Sequence, residues 1–218
     1  ALDSVLASDY SDIEVICIDD GSSDSSLQIL QEYALRDNRV RVYSQKNAGA
    51  CVARNYAISL ATGEFILPVD SDNKITSTFI SRAVAVMLSD EEIKVVAPRA
   101  AYFGDKSGEW KLPPFSLNLL ARKNIIDTCA MFRKSDWERV GGYCVEIKTR
   151  EDWAFWIAML KEGGRVVRLN KISLYYRIRE NSKRISDREK KYQIVDVLNK
   201  KHPEFFEREL GGPLRYWR

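Results

Sequence analysis

The sequence contains a single histidine, His202, among its 218 residues. That scarcity argues against metal sites built on several histidines and against a Ser-His catalytic triad. Four cysteines are present, but they are too widely spaced for a paired-cysteine metal site. We interpret them as buried thiols of a reducing compartment, which predicts a cytoplasmic protein. They are Cys17, Cys51, Cys129 and Cys144.

Long apolar runs are also missing, and none approaches the length of a membrane span. The composition, 45% hydrophobic and 30% charged, is that of a globular chain long enough for one sizeable domain. The net charge of +3 is unevenly distributed. Residues 165–218 carry 15 Lys and Arg against 7 Asp and Glu, whereas residues 1–164 carry 19 against 24. The paired carboxylates lie in the acidic part, and the basic part is the C-terminal tail.

Short apolar segments alternate with amphipathic ones along the chain. This alternation predicts an α/β fold with a mixed, mainly parallel sheet flanked by helices. Ligands of such sheets bind outside the carboxyl ends of the strands. The predicted strands are residues 13–18, 39–43, 65–69, 95–97, 127–132, 166–169 and 172–176. The predicted helices are residues 1–8, 25–36, 78–88, 134–140, 151–160 and 187–200, with another that opens near residue 47 and closes at Gly63.

Carboxylates follow two of these strands, because Asp19 and Asp20 end the first and Asp70 and Asp72 end the third. Side chains alternate along an extended chain, so Asp70 and Asp72 point to the same side. Like charges held that close repel unless a cation lies between them. A hard divalent cation such as Mg²⁺ or Mn²⁺ suits oxygen ligands and can bridge to a diphosphate. The alternative is a solvated turn, since Asp-Ser-Asp-Asn also favours turns.

Five short motifs stand in an order typical of one enzyme family. They are Asp19-Asp20-Gly-Ser, Gly49 through Ala53-Arg54-Asn55, Asp70-Ser-Asp72, Gly141-Gly142-Tyr143 and Glu151-Asp152-Trp153. In this order and rough spacing they resemble the bacterial family 2 glycosyltransferases with the GT-A fold. The resemblance covers residues 1 to about 178. It implies a nucleotide-diphospho-sugar donor, a divalent Mn²⁺ or Mg²⁺ and an inverting single displacement.

The resemblance assigns the donor side of the site to four residues. Asp70 and Asp72 would hold the metal and the diphosphate, with Asp72 as the more direct metal ligand. Asp20 would bind the nucleotide base, and Asp19 is the more ambiguous member of that pair. A carboxylate accepts hydrogen bonds but cannot donate them, so the site suits a uracil or thymine imide. Helix capping is the alternative for Asp20.

The acceptor side follows from the Glu-Asp-Trp motif. An inverting displacement needs a carboxylate near the acceptor hydroxyl, and the resemblance implies Asp152 as that general base, with Glu151 as its neighbour. Trp153 would contact the acceptor, and its alternative is core packing. The two acids are otherwise explained as first-turn residues that suit the helix dipole. Arg54 would contact phosphate, and a surface ion pair is equally compatible with its position.

The resemblance also implies a division of the chain. Residues 1–97 would form the nucleotide-sugar-binding half and residues 98–178 the acceptor-binding half of the same domain. Residues 179–218 would be a basic helical tail. Its cations and aromatic residues predict weak docking on anionic membranes, and the alternative is a solvated helix packed on the domain. The tail residues concerned are Lys183, Arg184, Arg188, Lys190, Lys191, Lys200, Lys201, Phe205, Phe206, Tyr216 and Trp217.

Several departures from the family pattern matter. The family usually begins with a strand ending in Pro-x-Tyr-Asn, so we expect an apolar strand immediately upstream of Ala1. Asn73 stands where a third Asp is frequent, Cys144 where an Asp often follows Gly-Gly-Tyr, and Arg179 where a His is often found. The Gln-x-x-Arg-Trp motif of processive members is missing, which predicts transfer of a single sugar.

The predicted function is therefore the transfer of one sugar to a glycan or lipid-linked acceptor in bacterial surface-glycan synthesis. The favoured donor is a UDP-sugar. No nucleic-acid partner is expected. Two alternatives stay open at this point. One is a nucleotidyltransferase acting on sugar phosphates, which would show a Gly-rich nucleotide loop near its N-terminus. The other is a non-catalytic nucleotide-sugar-binding module.

Overall fold

A computed structural model of the chain describes residues 1–147, 149–179 and 191–215. Within these ranges, helices and strands alternate from α1 to β3, β4 follows β3 directly, and helices form the C-terminal end. The helices are α1 (Leu2–Leu6), α2 (Ser26–Arg36), α3 (Ala50–Leu60), α4 (Phe79–Ser89), α5 (Leu117–Arg122), α6 (Lys134–Val140), α7 (Glu151–Leu160), α8 (Lys191–Lys201) and α9 (Pro203–Leu210). The strands are β1 (Val15–Asp19), β2 (Val40–Ser44), β3 (Phe65–Ile66), β4 (Lys74–Ile75), β5 (Ile93–Gly104), β6 (Gly108–Trp110), β7 (Met131–Arg133) and β8 (Arg165–Ile178).

The strands form two sheets. The larger has the order β3-β7-β5-β8-β4, with β6 paired to β5, and the smaller consists of β1 and β2. The long central pair of the larger sheet, β5 and β8, runs in parallel from Ile93 opposite Arg165 to Gly104 opposite Ile178. The smaller sheet is also parallel and brings Asp19 opposite Ser44. The carboxyl end of β1 and the segment after β3 therefore carry the two predicted acidic clusters.

The predicted α/β architecture, with a mixed sheet flanked by helices, is confirmed. Only β1–β2 and β5–β8 pair in parallel among the described strands, and the other pairs are antiparallel. The antiparallel pairs are β3–β7, β4–β8, β5–β6 and β5–β7. The strand predicted at 65–69 is shorter, because only Phe65 and Ile66 find a partner, in β7. The strands predicted at 166–169 and 172–176 are one continuous β8.

Apolar side chains cover both faces of the larger sheet. Adjacent residues of β5 point to opposite faces, so Val95 belongs to one buried cluster and Val96 to the other. Helix α4 packs on the Val96 side, where Phe79 and Ala83 are fully buried. Helices α3 and α7 pack on the Val95 side. That side also carries the candidate site.

The C-terminal helices belong to the same core. Ile194 and Leu198 of α8 and Phe205 and Phe206 of α9 lie in the cluster on the α3 and α7 side. The expectation that Phe205 and Phe206 contact a membrane is therefore wrong, because they are 2% and 0% exposed. Among the other predicted docking residues, those at 183–190 and 216–217 lie outside the described residues. None of the helices in the described ranges is long and apolar enough to cross a membrane.

The predicted division into halves stays a prediction, and so does the upstream strand. The boundary at residue 97 falls within β5, which contributes to the core on both sides of that point. Strand β1 pairs only with β2 among the described residues, and its residues Val15 to Ile18 are half-buried.

Candidate active site

The centre of the site is Arg54, on helix α3. Its Nη2 donates to Asp70 Oδ1 at 2.8 Å, and its Nη1 donates to Glu151 Oε1 at 2.7 Å. Its guanidinium also lies 5.6 Å from the centroid of the Tyr143 ring. Burial alone would lower the pKa of Arg54, but Asp70 and the other nearby groups outweigh it and raise the pKa further. Arg54 is therefore a fixed cation that joins the segment after β3 to the first turn of α7.

The first acidic pair is held by hydrogen bonds from the loop before α3. Asp20 accepts from Gln45 Nε2 and from the backbone N–H groups of Ala48 and Gly49, each at 2.8 Å. Burial would raise the pKa of Asp20, but these three hydrogen bonds prevail and lower it. Asp19 is 4% exposed and accepts from Ser44 Oγ at 3.2 Å. Asp20 thus remains ionised at the start of α3, with acceptor capacity left on Oδ2.

The second acidic pair, Asp70 and Asp72, lies in the segment between β3 and β4. Asp72 is half exposed, and Arg179 Nη2 lies 3.9 Å from its Oδ2. Asn73 is 1% exposed, and its Oδ1 accepts from the backbone N–H of Arg177 at 3.0 Å. The side chain of Asn73 therefore anchors the turn to β8. Asn73 stands where the family often has a third Asp. Because this position is buried, the change from Asp to Asn does not remove an exposed carboxylate from the site.

Asp152 is oriented by the segment before β7. Its Oδ2 accepts from Asn124 Nδ2 at 2.7 Å and from Thr128 Oγ1 at 3.3 Å, and its Oδ1 accepts from the backbone N–H of Trp153 at 2.8 Å. Burial of the carboxyl group and the neighbouring Glu151 raise the pKa of Asp152 to about 6. Asp152 is therefore largely ionised at neutral pH, yet basic enough to accept a proton.

Arg150 introduces the helix that carries these acids. It has the left-handed conformation, with φ 54° and ψ 35°, and no other non-glycine residue of the described chain has a positive φ. Such a conformation is unfavourable for a residue with a side chain and persists only where its surroundings demand it. The strain lies directly before Glu151 and Asp152, so the turn fixes where α7 begins.

Trp153 does not lie in the site. It is 3% exposed, and its Nε1 donates to the carbonyl oxygen of Leu120 at 2.7 Å. The surroundings of Trp153 therefore support core packing, the alternative to acceptor binding. The side chain has almost no exposed surface with which to contact an acceptor.

Asp127 is a buried carboxyl group that the sequence motifs did not single out. It is 9% exposed, and its Oδ1 accepts from the backbone N–H of Cys129 at 2.8 Å. Burial raises the pKa of Asp127 to about 7; the Cys129 hydrogen bond opposes this rise, while Asp70 and Asp152 add to it. The signal in the sequence was its place at the start of the strand predicted at residues 127–132.

Asp127→Asn is expected to remove a destabilising charge. Because the folded-state pKa of about 7 lies above the unfolded value of 3.8, this carboxyl favours folding below about pH 4, and that contribution is lost as pH rises towards 7. The variant should equal the wild type in stability near pH 4. At pH 8 it should be more stable, by on the order of 1–3 kcal/mol. Urea unfolding at both pH values measures the difference.

Asp37→Asn supplies a control of opposite sign. The side-chain hydrogen bond from Arg39 lowers the pKa of Asp37 to about 2. Its contribution is therefore present above the unfolded pKa and lost only in strong acid, so this variant should lose stability at pH 8. A wild-type stability that rises between pH 4 and 7, with no difference from Asp127→Asn, would contradict the assignment for Asp127.

The comparisons with known proteins identify the class. The model of the family described as Glycosyl transferase family 2 matches residues 1–141, so the chain belongs to that family. It is similar to the putative teichuronic acid biosynthesis glycosyltransferase TuaG of Bacillus subtilis, with 32% identity over 82% of this chain and 73% of that protein. It is also similar to the putative colanic acid biosynthesis glycosyl transferase WcaA of Escherichia coli, with 30% identity over 95% of this chain and 77% of that protein.

Solved structures confirm the GT-A fold. S. aureus TarS in complex with UDP-GlcNAc has a TM-score of 0.75 at 22% identity, covering 92% of this chain and 61% of that chain. The mannosyltransferase PcManGT from Pyrobaculum calidifontis, in complex with GDP-Man and Mn²⁺, has a TM-score of 0.70 at 18% identity, covering 96% of this chain and 63% of that chain. The chain thus spans somewhat over half the length of these two structures. The protein is a glycosyltransferase. Of the three functions predicted from the sequence, the comparisons therefore favour the glycosyltransferase over the nucleotidyltransferase and the non-catalytic module.

Proposed function

We propose that the protein transfers a single sugar from a UDP-sugar to an acceptor hydroxyl, with inversion and with help from a divalent metal, in the synthesis of a bacterial surface glycan. The observation that carries the proposal is the bridge made by Arg54. It ties Asp70, in the segment between β3 and β4, to Glu151, beside the candidate base Asp152. Asp152, which can accept a proton, and Asp70, which is suited to bind a metal ion and its diphosphate, thus belong to one cluster.

Asp70 and Asp72 would hold the metal. No group of three or more His, Cys, Asp or Glu suited to a metal occurs in the described part of the chain. Two carboxylates nevertheless fit Mg²⁺ or Mn²⁺ at a nucleotide site, because such ions bind one or two carboxylates together with substrate phosphates. Asp72 is exposed enough to serve, and Arg54 occupies only one oxygen of Asp70. When bound, the metal would neutralise the diphosphate as it leaves.

The protein side chains would divide the remaining work. Asp20 would accept a hydrogen bond from the N3–H of uracil, using the capacity left on Oδ2. Arg54 would place a positive charge beside the diphosphate. Asp152 would take the proton of the acceptor hydroxyl as it attacks, since its carboxylate is ionised near neutral pH and held by Asn124.

The relatives support the biological setting. The names of TuaG and WcaA refer to teichuronic acid and colanic acid biosynthesis. A shared family and about a third of identical residues favour a related glycan acceptor here, either free or linked to a lipid.

Asp72→Asn tests the metal and donor assignment. The change keeps the size of the side chain but removes a formal charge from the ligand set, so Mn²⁺-dependent binding of UDP should be lost while the melting temperature is retained. Calorimetry with UDP, with and without Mn²⁺, measures this. Incubation of the wild type with UDP-sugars and candidate glycan acceptors should release UDP. Asp12→Asn, which changes an exposed acid before β1, is the control, and equal UDP affinity in both variants would exclude Asp72 as a ligand.

A further inference from the structure

Lys74 and Arg177, on the neighbouring strands β4 and β8, contact the same aromatic ring. The Nζ of Lys74 lies 5.4 Å from the centroid of the Phe103 ring, and the guanidinium carbon of Arg177 lies 4.3 Å from the same centroid. In the sheet, Phe103 of β5 is paired with Arg177, and Lys74 is paired with Tyr175. Because side chains alternate along a strand, Lys74, Arg177 and Phe103 lie on one face of the sheet.

Arg177 is held beside the second acidic pair. Its Nε donates to the carbonyl oxygen of Asp72 at 3.0 Å, and its backbone N–H donates to Asn73 Oδ1 at 3.0 Å. The two terminal nitrogens of its guanidinium have no hydrogen-bond acceptor among the described residues, and neither of them is buried. An accessible guanidinium fork of this kind matches the oxygens of a phosphate group.

The positive charges of these side chains are not neutralised by the described carboxylates. Neither Lys74 nor Arg177 forms an ion pair within the part of the chain that the structure describes. Arg179 adds a third cation, which is 62% exposed and lies 3.9 Å from Asp72 Oδ2. Like charges held close together repel unless an anion lies between them. The surface beside Asp72 is therefore suited to bind an anion.

The proposed displacement generates negative charge at this place. The acceptor oxygen bonds to the sugar carbon and gives its proton to Asp152. The bond from that carbon to the diphosphate breaks, and its electron pair stays on the diphosphate, which leaves as UDP. In the site, Arg54 carries one positive charge against three carboxylates, which are Asp70, Asp72 and Glu151. A divalent metal would bring that sum to zero, so the charge of UDP itself has no counterpart among these groups.

We infer that Arg177 and Lys74 bind the diphosphate of the UDP-sugar and stabilise it as it leaves. This inference rests on the proposed function. The terminal nitrogens of Arg177 would donate to phosphate oxygens, and Lys74 would add positive charge beside them. The Phe103 ring restricts both cations without neutralising them. Cations that are already in place where negative charge grows lower the energy of the transition state.

Arg177→Met and Lys74→Met test this inference, with UDP and uridine as probes. Each change removes one positive charge and keeps an apolar side chain against Phe103. Affinity for UDP should fall about 10–100-fold in Arg177→Met, the effect of a lost charge-assisted hydrogen bond, and by a smaller factor in Lys74→Met. Affinity for uridine, which has no phosphate, should not change. Calorimetry with and without Mn²⁺ measures both affinities, and the loss for UDP should occur under either condition.

Lys106→Met is the matched control. Lys106 Nζ lies 4.5 Å from the centroid of the Tyr102 ring, and Tyr102 directly precedes Phe103, so its side chain lies on the opposite face of the sheet. This variant loses the same charge from a similar contact and should bind UDP as the wild type does. Arg177→Lys keeps the charge without the planar fork, so its UDP affinity should lie between those of the wild type and Arg177→Met. Because Lys74 is exposed, Lys74→Met should keep the melting temperature of the wild type.

Three outcomes overturn the inference. Wild-type affinity for UDP in both Arg177→Met and Lys74→Met would show that these cations do not bind the diphosphate, and a raised KM for the acceptor would then place the anion there. An equal loss for UDP and for uridine would indicate a general disturbance of the nucleotide site. A loss in Lys106→Met as large as in Lys74→Met would show an effect of net charge alone. A wild type that fails to bind UDP would instead refute the proposed function, so the two failures are distinguishable.

Discussion

Asp152→Asn is expected to lower the rate of sugar transfer by about 10²–10⁴-fold, the range typical of a lost general base. The amide keeps the shape of the side chain but cannot accept the proton of the acceptor hydroxyl. UDP affinity should be unchanged, because the proposed nucleotide contacts lie at Asp20 and at the acidic pair after β3. UDP release in the presence of acceptor, measured beside UDP calorimetry, separates the two effects.

The pH profile of the wild type adds a second readout. Since burial and Glu151 raise the pKa of Asp152 to about 6, activity should fall as the pH drops below that value and the base becomes protonated. Asp9→Asn, which changes an exposed acid, should retain both rate and profile. A loss of only a few fold in Asp152→Asn would show that another group takes the proton.

Arg54→Met is expected to be the most destabilising of these changes. Arg54 is 18% exposed and is bonded to both Asp70 and Glu151. Removing one partner of a buried ion pair leaves uncompensated charge and typically lowers the free energy of unfolding by about 3–5 kcal/mol. Urea unfolding at pH 8 measures the difference.

Arg36→Met is the matched control for that experiment. Arg36 pairs with Glu32 at 3.5 Å, but the two side chains are 71% and 45% exposed. Such surface pairs contribute about 0–1 kcal/mol. Arg54→Lys should keep part of the stability, because the charge stays while the planar fork that reaches both carboxylates is lost. Similar unfolding free energies for Arg54→Met and Arg36→Met would show that the bridge is not a stabilising element.

Much of the fold was accessible from the sequence because its signals are local. Helices α6 and α7 begin and end at the predicted residues, since apolar periodicity and the glycines at 141–142 and 163–164 mark them. Antiparallel pairing was not accessible in the same way, because it depends on contacts between distant segments. Helix α9 was not predicted either, although Pro203 at its first turn and Gly211 after its end were visible signals.

The candidate site was predicted in its motifs but not in its connections. Sequence order placed Arg54 and Glu151 97 positions apart, and nothing local indicated that one guanidinium would join them. Asn124 and Thr128 were missed for the same reason, since an amide and a hydroxyl in a short loop have no distinctive pattern. Asp127 was counted as part of a strand, and its burial, with the influence of Asp70 and Asp152 on its pKa, is visible only in the folded structure.

The two sheets differ in how completely their backbones are protected. Strands β5 and β8 pair at ten positions, and Val95, Val96 and Ala97 of β5 are almost fully buried, so the amide protons of this part of the sheet should exchange with solvent only when the whole domain unfolds. Strands β1 and β2 pair over five residues and remain half-buried. They can open in smaller fluctuations that leave the rest intact. The segment that carries Asp19 and Asp20 is therefore the part of the molecule whose local stability a bound nucleotide can increase most.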